Sequence, residues 1–99
     1  MSTVNLSYLQ TKNDQLNLPM QKYQPVPRAA YEALEEAYLL RQPIILTFEQ
    51  EGARQTLLNV QITDLHQEVD GEYLTLEGGL RLRLDQLVAI GGKPVHFWA

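Results

Sequence analysis

The sequence predicts a mainly β domain with one N-terminal helix, built as a small, strongly bent, five-stranded antiparallel barrel. Two observations carry this prediction. The apolar residues change from a helical to a two-residue period at Pro43, and glycine-containing turns separate short segments after that point. Strands this short must avoid exposed edges, and a partly closed barrel does so economically in a chain of 99 residues.

The helix is predicted from Pro27 to about Arg41. Proline suits the first helical turn, because its missing N–H needs no partner there. Apolar residues then recur at helical spacing, so one face is expected to pack against the sheet through Tyr31, Leu34 and Tyr38.

Strand signals fill the rest of the chain. β-branched, aromatic or alternating residues occupy segments 44–48, 54–64, 66–69, 72–77, 80–84 and 87–90. Asp70-Gly71 and Gly78-Gly79 are expected to be hairpin turns, because glycine supplies the positive φ angles of two-residue loops.

Residues 1–22 differ from the rest of the chain. They are rich in Ser, Thr, Asn and Gln, and their leucines follow no sustained period. We expect a mobile arm that is dispensable for folding, ahead of a single domain over residues 23–99.

Composition excludes several classes of protein. The chain has no cysteine, so disulfides, thiol nucleophiles and Cys-based zinc sites are ruled out. No apolar run approaches the length of a membrane span and no signal-peptide pattern is present, which favours a cytoplasmic location without membrane contact. A net charge of −4 argues against direct nucleic-acid binding and favours a basic partner.

A search for catalytic and metal-binding patterns finds none. His66 and His96 lie thirty residues apart without metal-ligand spacing. Ser2 and Ser7 lie in the arm, where a serine nucleophile would lack a rigid scaffold. The glycine pairs are turn glycines rather than a phosphate loop. We therefore expect a protein that is not an enzyme and that uses no cofactor or metal.

Two groups of charged residues are candidates for binding a partner. Glu32, Glu35 and Glu36 share one helix face, where like charges repel and no basic residue is expected to relieve them before Arg41. The alternative interpretation is an ordinary solvated face.

The second group is Arg81 and Arg83, which alternation places on one face of the same strand. The alternative for this pair is ion pairing across the hairpin with Glu72 or Glu77.

Five short segments follow one another over about residues 23–90: Tyr23-Gln24-Pro25-Val26, Tyr31-Glu32-x-Leu34-Glu35-x-Ala37, Asp64-Leu65, Glu72-Tyr73-Leu74 and Leu82-Arg83-Leu84-Asp85. In this ordered set the chain resembles the Rof (YaeO) family of Rho-binding antiterminators. The resemblance implies a helix followed by an Sm-like barrel. It also implies binding to the RNA-binding domain of the termination factor Rho, which blocks RNA loading and reduces termination. The expected partner-binding residues are Tyr31, Glu32, Glu35, Glu36, Arg81 and Arg83.

One segment departs from that family. Its members usually carry Cys and acidic residues just ahead of a Tyr-Asp-x-Leu-Glu stretch, whereas this chain has Pro27-Arg28-Ala29-Ala30 there. Acidic groups are therefore missing at Ala29 and Ala30 and a positive charge is added, while Glu36 supplies one carboxylate a turn later.

Three other functions stay open from the sequence. An RNA-binding Sm-like ring would need basic or aromatic loop residues, and the loop here, Glu68-Val69-Asp70-Gly71-Glu72, is acidic. A ligand-sensing module similar to WYL domains shares the Leu-Arg-Leu-Asp ending. A homo-oligomeric module would use the aromatic tail Phe97-Trp98 as its interface.

Overall fold

The computed structural model describes residues 22–98, which form one helix and seven strands in two antiparallel sheets. In chain order the elements are α1 (Arg28–Leu40), β1 (Ile44–Gln50), β2 (Ala53–Val60), β3 (Ile62–Glu68), β4 (Gly71–Leu76), β5 (Arg81–Arg83), β6 (Leu87–Ile90) and β7 (Lys93–Pro94). Single 3₁₀ turns occupy Leu84–Gln86 and Val95–Phe97. One sheet has the order β2-β1-β6-β7 and the other β3-β4-β5.

The mainly β class with a single helix is thus confirmed for the described residues. Seven strands divide between two sheets, and the finer prediction of a five-stranded barrel stays a prediction. The predicted arm, apart from Lys22, lies outside the described part of the chain. Within residues 22–98 no helix is both long and apolar enough to cross a membrane.

Helix α1 begins and ends within one residue of the prediction. Pro27 precedes the helix rather than opening its first turn, and its carbonyl accepts the N–H of Tyr31 at 3.1 Å. The end is set by Arg41, whose left-handed backbone (φ 56°) lets the Gln42 N–H reach the carbonyl of Ala37 at 2.9 Å. The helix therefore ends by its own C-cap, two residues before Pro43.

The predicted strand over 54–64 is two strands that belong to different sheets. Asn59 adopts a left-handed conformation (φ 56°), and the pairing of β1 with β2 shifts register beside it. An extra residue at such a bulge bends a strand sharply. The chain then passes through Gln61, whose carbonyl accepts the N–H of Glu77 at 2.8 Å, and enters the second sheet.

Two strand ends differ from their predicted positions. The β3–β4 loop is Val69-Asp70, and Gly71 already pairs with Glu68 as the first residue of β4. After β5, Leu84 opens a 3₁₀ turn instead of continuing the strand. The side-chain carbonyl of Gln86 accepts the backbone N–H of Arg83 at 2.8 Å, which favours the turn.

The aromatic tail is part of the fold. Past the Gly91-Gly92 turn, β7 pairs with β6, and Trp98 donates from Nε1 to the carbonyl of Lys93 at 3.2 Å. The Lys93 ammonium lies 4.5 Å from the centre of the indole ring. Phe97 is 61% exposed, so only half of the proposed Phe97-Trp98 interface faces outward.

A single core joins the helix to both sheets. Its members are buried apolar residues from α1, β1, β3, β4, β5, β6 and the first 3₁₀ turn: Ala30, Leu34, Ala37, Leu46, Phe48, Ile62, Leu74, Leu76, Leu82, Leu84, Leu87 and Ile90. Tyr31 and Tyr38 are half-buried and pack against this core, as the helical spacing predicts.

A short extended segment, residues 22–27, crosses the second sheet ahead of the helix; we call it the strap. Its Tyr23 ring lies against Gly71, which has φ +146°. A Cβ at Gly71 would come within 3.0 Å of both the Tyr23 ring and the Arg83 side chain. The strap can therefore lie close to β4 only because residue 71 has no side chain.

We expect Gly71→Ala to lower the free energy of unfolding by about 3 kcal/mol, because it adds a clash to backbone strain. Gly79→Ala is the matched control: its φ is also positive, +99°, but an added Cβ would meet no atom within 4 Å. This control should lose only about 1 kcal/mol. Urea denaturation of both variants measures the difference, and equal losses would show that the strap does not need the space.

Candidate functional site

An acidic concave surface lies where helix α1 passes the start of β4. A groove of about 430 Å³ is lined there by Val26, Arg28, Tyr31, Glu32, Glu35 and Glu72. We call it the acidic groove. It brings together three of the predicted site residues and adds Glu72, a carboxylate from a different element.

Tyr31 lines this groove together with the carboxylates. Burial raises the pKa of its hydroxyl, and the nearby carboxylates of Glu72 and Glu35 raise it further. Glu32 and Glu35 are exposed, as predicted. Glu36 is also exposed but does not line the groove, so it extends the negative surface along the helix instead.

One basic residue offsets part of this charge. The Arg28 Nε lies 3.3 Å from Glu32 Oε2, one turn earlier in the helix. The expectation that no basic residue relieves the glutamates before Arg41 is therefore wrong. Both side chains are largely exposed, at 90% and 60%, so water screens the pair and it contributes little to stability.

Glu72 is held in place by the strap. The Tyr23 hydroxyl donates to Glu72 Oε1 at 2.9 Å. Burial raises the pKa of the Tyr23 hydroxyl well above its ordinary value, and the Glu72 carboxylate raises it further. The hydroxyl therefore stays a donor at any physiological pH. No local pattern indicates this contact, because the two residues are 49 positions apart in the sequence.

Arg83 is a buried residue rather than a surface one. It is 7% exposed, and its Nε and Nη2 donate to the two carboxylate oxygens of Asp85, both at 2.8 Å. The hydrogen bonds that Arg83 donates to Asp85 raise the pKa of Arg83 against the opposing effect of burial. Asp85 Oδ2 also accepts the N–H of Gln24 at 3.1 Å, and the guanidinium carbon lies 5.6 Å from the centre of the Tyr23 ring.

Arg81 shares a face with Arg83 but is exposed. Its guanidinium lies 3.9 Å from the centre of the Tyr73 ring, and its Nη2 contacts Glu68 Oε1 at 2.5 Å. Arg81 thus pairs with Glu68 and Arg83 with Asp85, whereas the sequence pattern suggested Glu72 or Glu77 as partners across the hairpin. Arg83 binds the residue two positions ahead of it, and Arg81 reaches across to the end of β3.

A wider cleft of about 670 Å³ lies beside these arginines, between the β1–β2 turn and β5. Its charged lining mixes both signs: Glu49, Glu51, Asp85, Arg81 and Arg83. Across residues 22–98, no group of three His, Cys, Asp or Glu side chains is arranged to hold a metal ion. The acidic groove is the more uniformly charged of these two surfaces, with three carboxylates and one arginine.

Comparisons of the chain with protein-family models, with curated proteins and with solved structures give no match. The site is therefore interpreted from its own geometry and charge.

The different settings of the two arginines give a stability prediction. Arg83→Ala should lower the free energy of unfolding by about 3 kcal/mol, because it leaves the Asp85 carboxylate buried without its partner. Arg81→Ala, which removes an exposed pair, should cost clearly less. The double variant Arg83→Ala/Asp85→Ala should recover part of the loss. Chemical denaturation tests all three, and an Arg81 loss that matched the Arg83 loss would contradict this assignment.

Proposed function

We propose that this protein binds the RNA-binding domain of Rho through its acidic groove and so acts as an antiterminator similar to the Rof (YaeO) family. In this proposal it works in the cytoplasm by occupying a basic surface that would otherwise load RNA, and it catalyses no reaction. The observation that carries the proposal is the convergence of Glu32, Glu35 and Glu72 around Tyr31.

Charge and shape both favour such a partner. Three carboxylates from two elements line one concave surface, and Glu36 continues the negative charge on the same helix. A surface that binds RNA must be basic, since it neutralises phosphates with Lys and Arg. Complementary charge of this kind acts mainly on the association rate and weakens as salt rises.

The lining of the groove also includes an aromatic residue. Tyr31 is half-buried and packs against the core, so its ring is fixed while part of it stays accessible. Tyrosine is enriched at energetically important interface positions because it offers a large contact area at low entropic cost. We therefore propose that Tyr31 contacts the partner between the flanking carboxylates.

The strand arrangement supports the Sm-like part of the proposal. β2 and β3 are separated by Gln61 alone, and can be counted as one strand bent at Asn59. The strand path is then β5-β4-β3/β2-β1-β6, which is five strands followed by the small added strand β7. The 3₁₀ turn Leu84–Gln86 joins the two ends of this path, β5 and β6.

Charge reversal tests the proposal. The double variant Glu32→Lys/Glu35→Lys should reduce binding to the Rho RNA-binding domain by at least about 100-fold at low salt, because it replaces attraction by repulsion. The matched control is Glu51→Lys/Glu77→Lys, which makes the same change in net charge at two exposed turn residues outside the groove. Isothermal titration with the full-length chain measures binding, and circular dichroism verifies the fold.

Two results would count against the proposal. One is no detectable binding by the wild-type chain. The other is equal weakening by both double variants, which would show that net charge matters and the groove does not.

The ion pair between Arg28 and Glu32 in the groove lining gives a second prediction. Arg28→Glu removes the positive charge next to Glu32 and places a carboxylate where the chain departs from the Rof family. We expect association with the Rho domain to become several-fold faster at low salt, with little change at high salt. Stopped-flow kinetics at two salt concentrations measures this effect. An unchanged or slower association rate would place Arg28 outside the contact.

A further inference from the structure

The outer face of the second sheet carries a histidine between two carboxylates. His66 Nε2 lies 2.6 Å from Glu68 Oε2, and Nδ1 lies 2.7 Å from Asp64 Oδ2. The Nδ1 contact is an ion pair by distance without hydrogen-bond alignment, and this nitrogen is buried. A neutral imidazole has only one N–H, so facing an ionised carboxylate at each nitrogen favours the doubly protonated ring.

Neighbouring strands complete this cluster. From β4, the Tyr73 ring stacks on His66 with centres 5.9 Å apart, and its hydroxyl donates to Asp70 at 2.9 Å. From β5, Arg81 contacts the same Glu68 carboxylate, and its guanidinium lies over the Tyr73 ring. Arg83 is the β5 residue that pairs with Tyr73 in the strand register. Helix α1 also packs against β3. The charged groups around His66 are therefore Asp64, Glu68, Asp70, Arg81 and Arg83, with Tyr73 between them.

The cluster holds both sides of the β3–β4 turn. Glu68 is the last residue of β3, and Asp70 lies in the turn itself. Between them Val69 projects fully into solvent, so no packing of its own side chain orders the turn. The side-chain contacts of Glu68 and Asp70 with the sheet therefore add to the backbone pairing of Glu68 with Gly71 in holding this turn in position.

We propose that His66 is a pH-sensitive clamp which, when protonated, fixes Glu68 and Asp64 and so orders the β3–β4 turn. Loss of one ring proton removes the positive charge between Asp64 and Glu68, and the neutral ring can then donate to only one of the two carboxylates. This regulation is separate from Rho binding and does not require it.

The pH range of the clamp follows from two shifts. Hydrogen bonding to Glu68, with a further contribution from Asp64, raises the pKa of His66 above its ordinary 6.5, and the same contact lowers the pKa of Glu68 below 4.5. A raised histidine pKa gives stabilisation that is complete below pH 6.5 and is lost as pH rises through the folded-state pKa. The lowered Glu68 pKa gives stabilisation that is complete above 4.5 and is lost as pH falls through its folded-state value. The clamp is closed between these two folded-state values.

NMR of the full-length chain tests this directly. The His66 ring should titrate above 6.5, and the backbone amides of Val69 and Asp70 should shift with the same midpoint. ¹⁵N order parameters of these two amides should fall once pH exceeds that midpoint. A His66 midpoint at or below 6.5, or turn amides that ignore its titration, would overturn the proposal.

A variant pair provides an independent test. His66→Gln can donate to one carboxylate but cannot become charged, so its melting temperature should lie below wild type at pH 6 by several degrees. That gap should close as pH rises past the His66 midpoint of the wild type. His96→Gln, a change at the other histidine, should show no such pH-dependent gap. A constant gap for His66→Gln, or the same behaviour in both variants, would contradict the clamp.

Discussion

The buried pair between Arg83 and Asp85 is the contact on which the rest of this structure depends. The carboxylate accepts two charge-assisted hydrogen bonds from the guanidinium and a third bond from the backbone of Gln24. A buried ion pair offsets its desolvation cost only when additional hydrogen bonds satisfy the remaining polar atoms of both groups. Here those bonds tie β5, the following 3₁₀ turn and the strap together. The strap in turn places Tyr23, which orients Glu72 at the edge of the acidic groove.

Local features of the fold could be predicted from the sequence, whereas features set by distant contacts could not. The helix and its buried face follow from spacing, and Leu74, Leu76 and Leu82 alternate inward as their pattern indicates. The bend at Asn59 depends on a left-handed backbone conformation at that residue, and the alternating side chains around it in the sequence give no sign of a bend. The packing of Trp98 requires β7, a strand too short to give a periodic signal.

The candidate site shows the same division. Exposure of Glu32 and Glu35 follows from the helical wheel, and the Arg28 pair could have been found at its four-residue spacing. Glu72 could not, because it reaches the groove only through the closed fold. Arg81 and Arg83 look alike in an alternating strand, yet only Arg83 is buried, since Asp85 and Tyr23 enclose it. Alternation predicts the face of a sheet but not how deeply each residue of that face is covered.

In the proposed function, the acidic groove competes with RNA for a basic surface of Rho. The most direct measurement is displacement of a fluorescent oligoribonucleotide from Rho by the full-length chain, followed by fluorescence anisotropy at several salt concentrations. The anisotropy should fall to that of free RNA as protein is added, and the protein's own affinity for Rho should weaken as salt rises. RNA that stays bound at saturating protein, or a ternary complex with raised anisotropy, would contradict it.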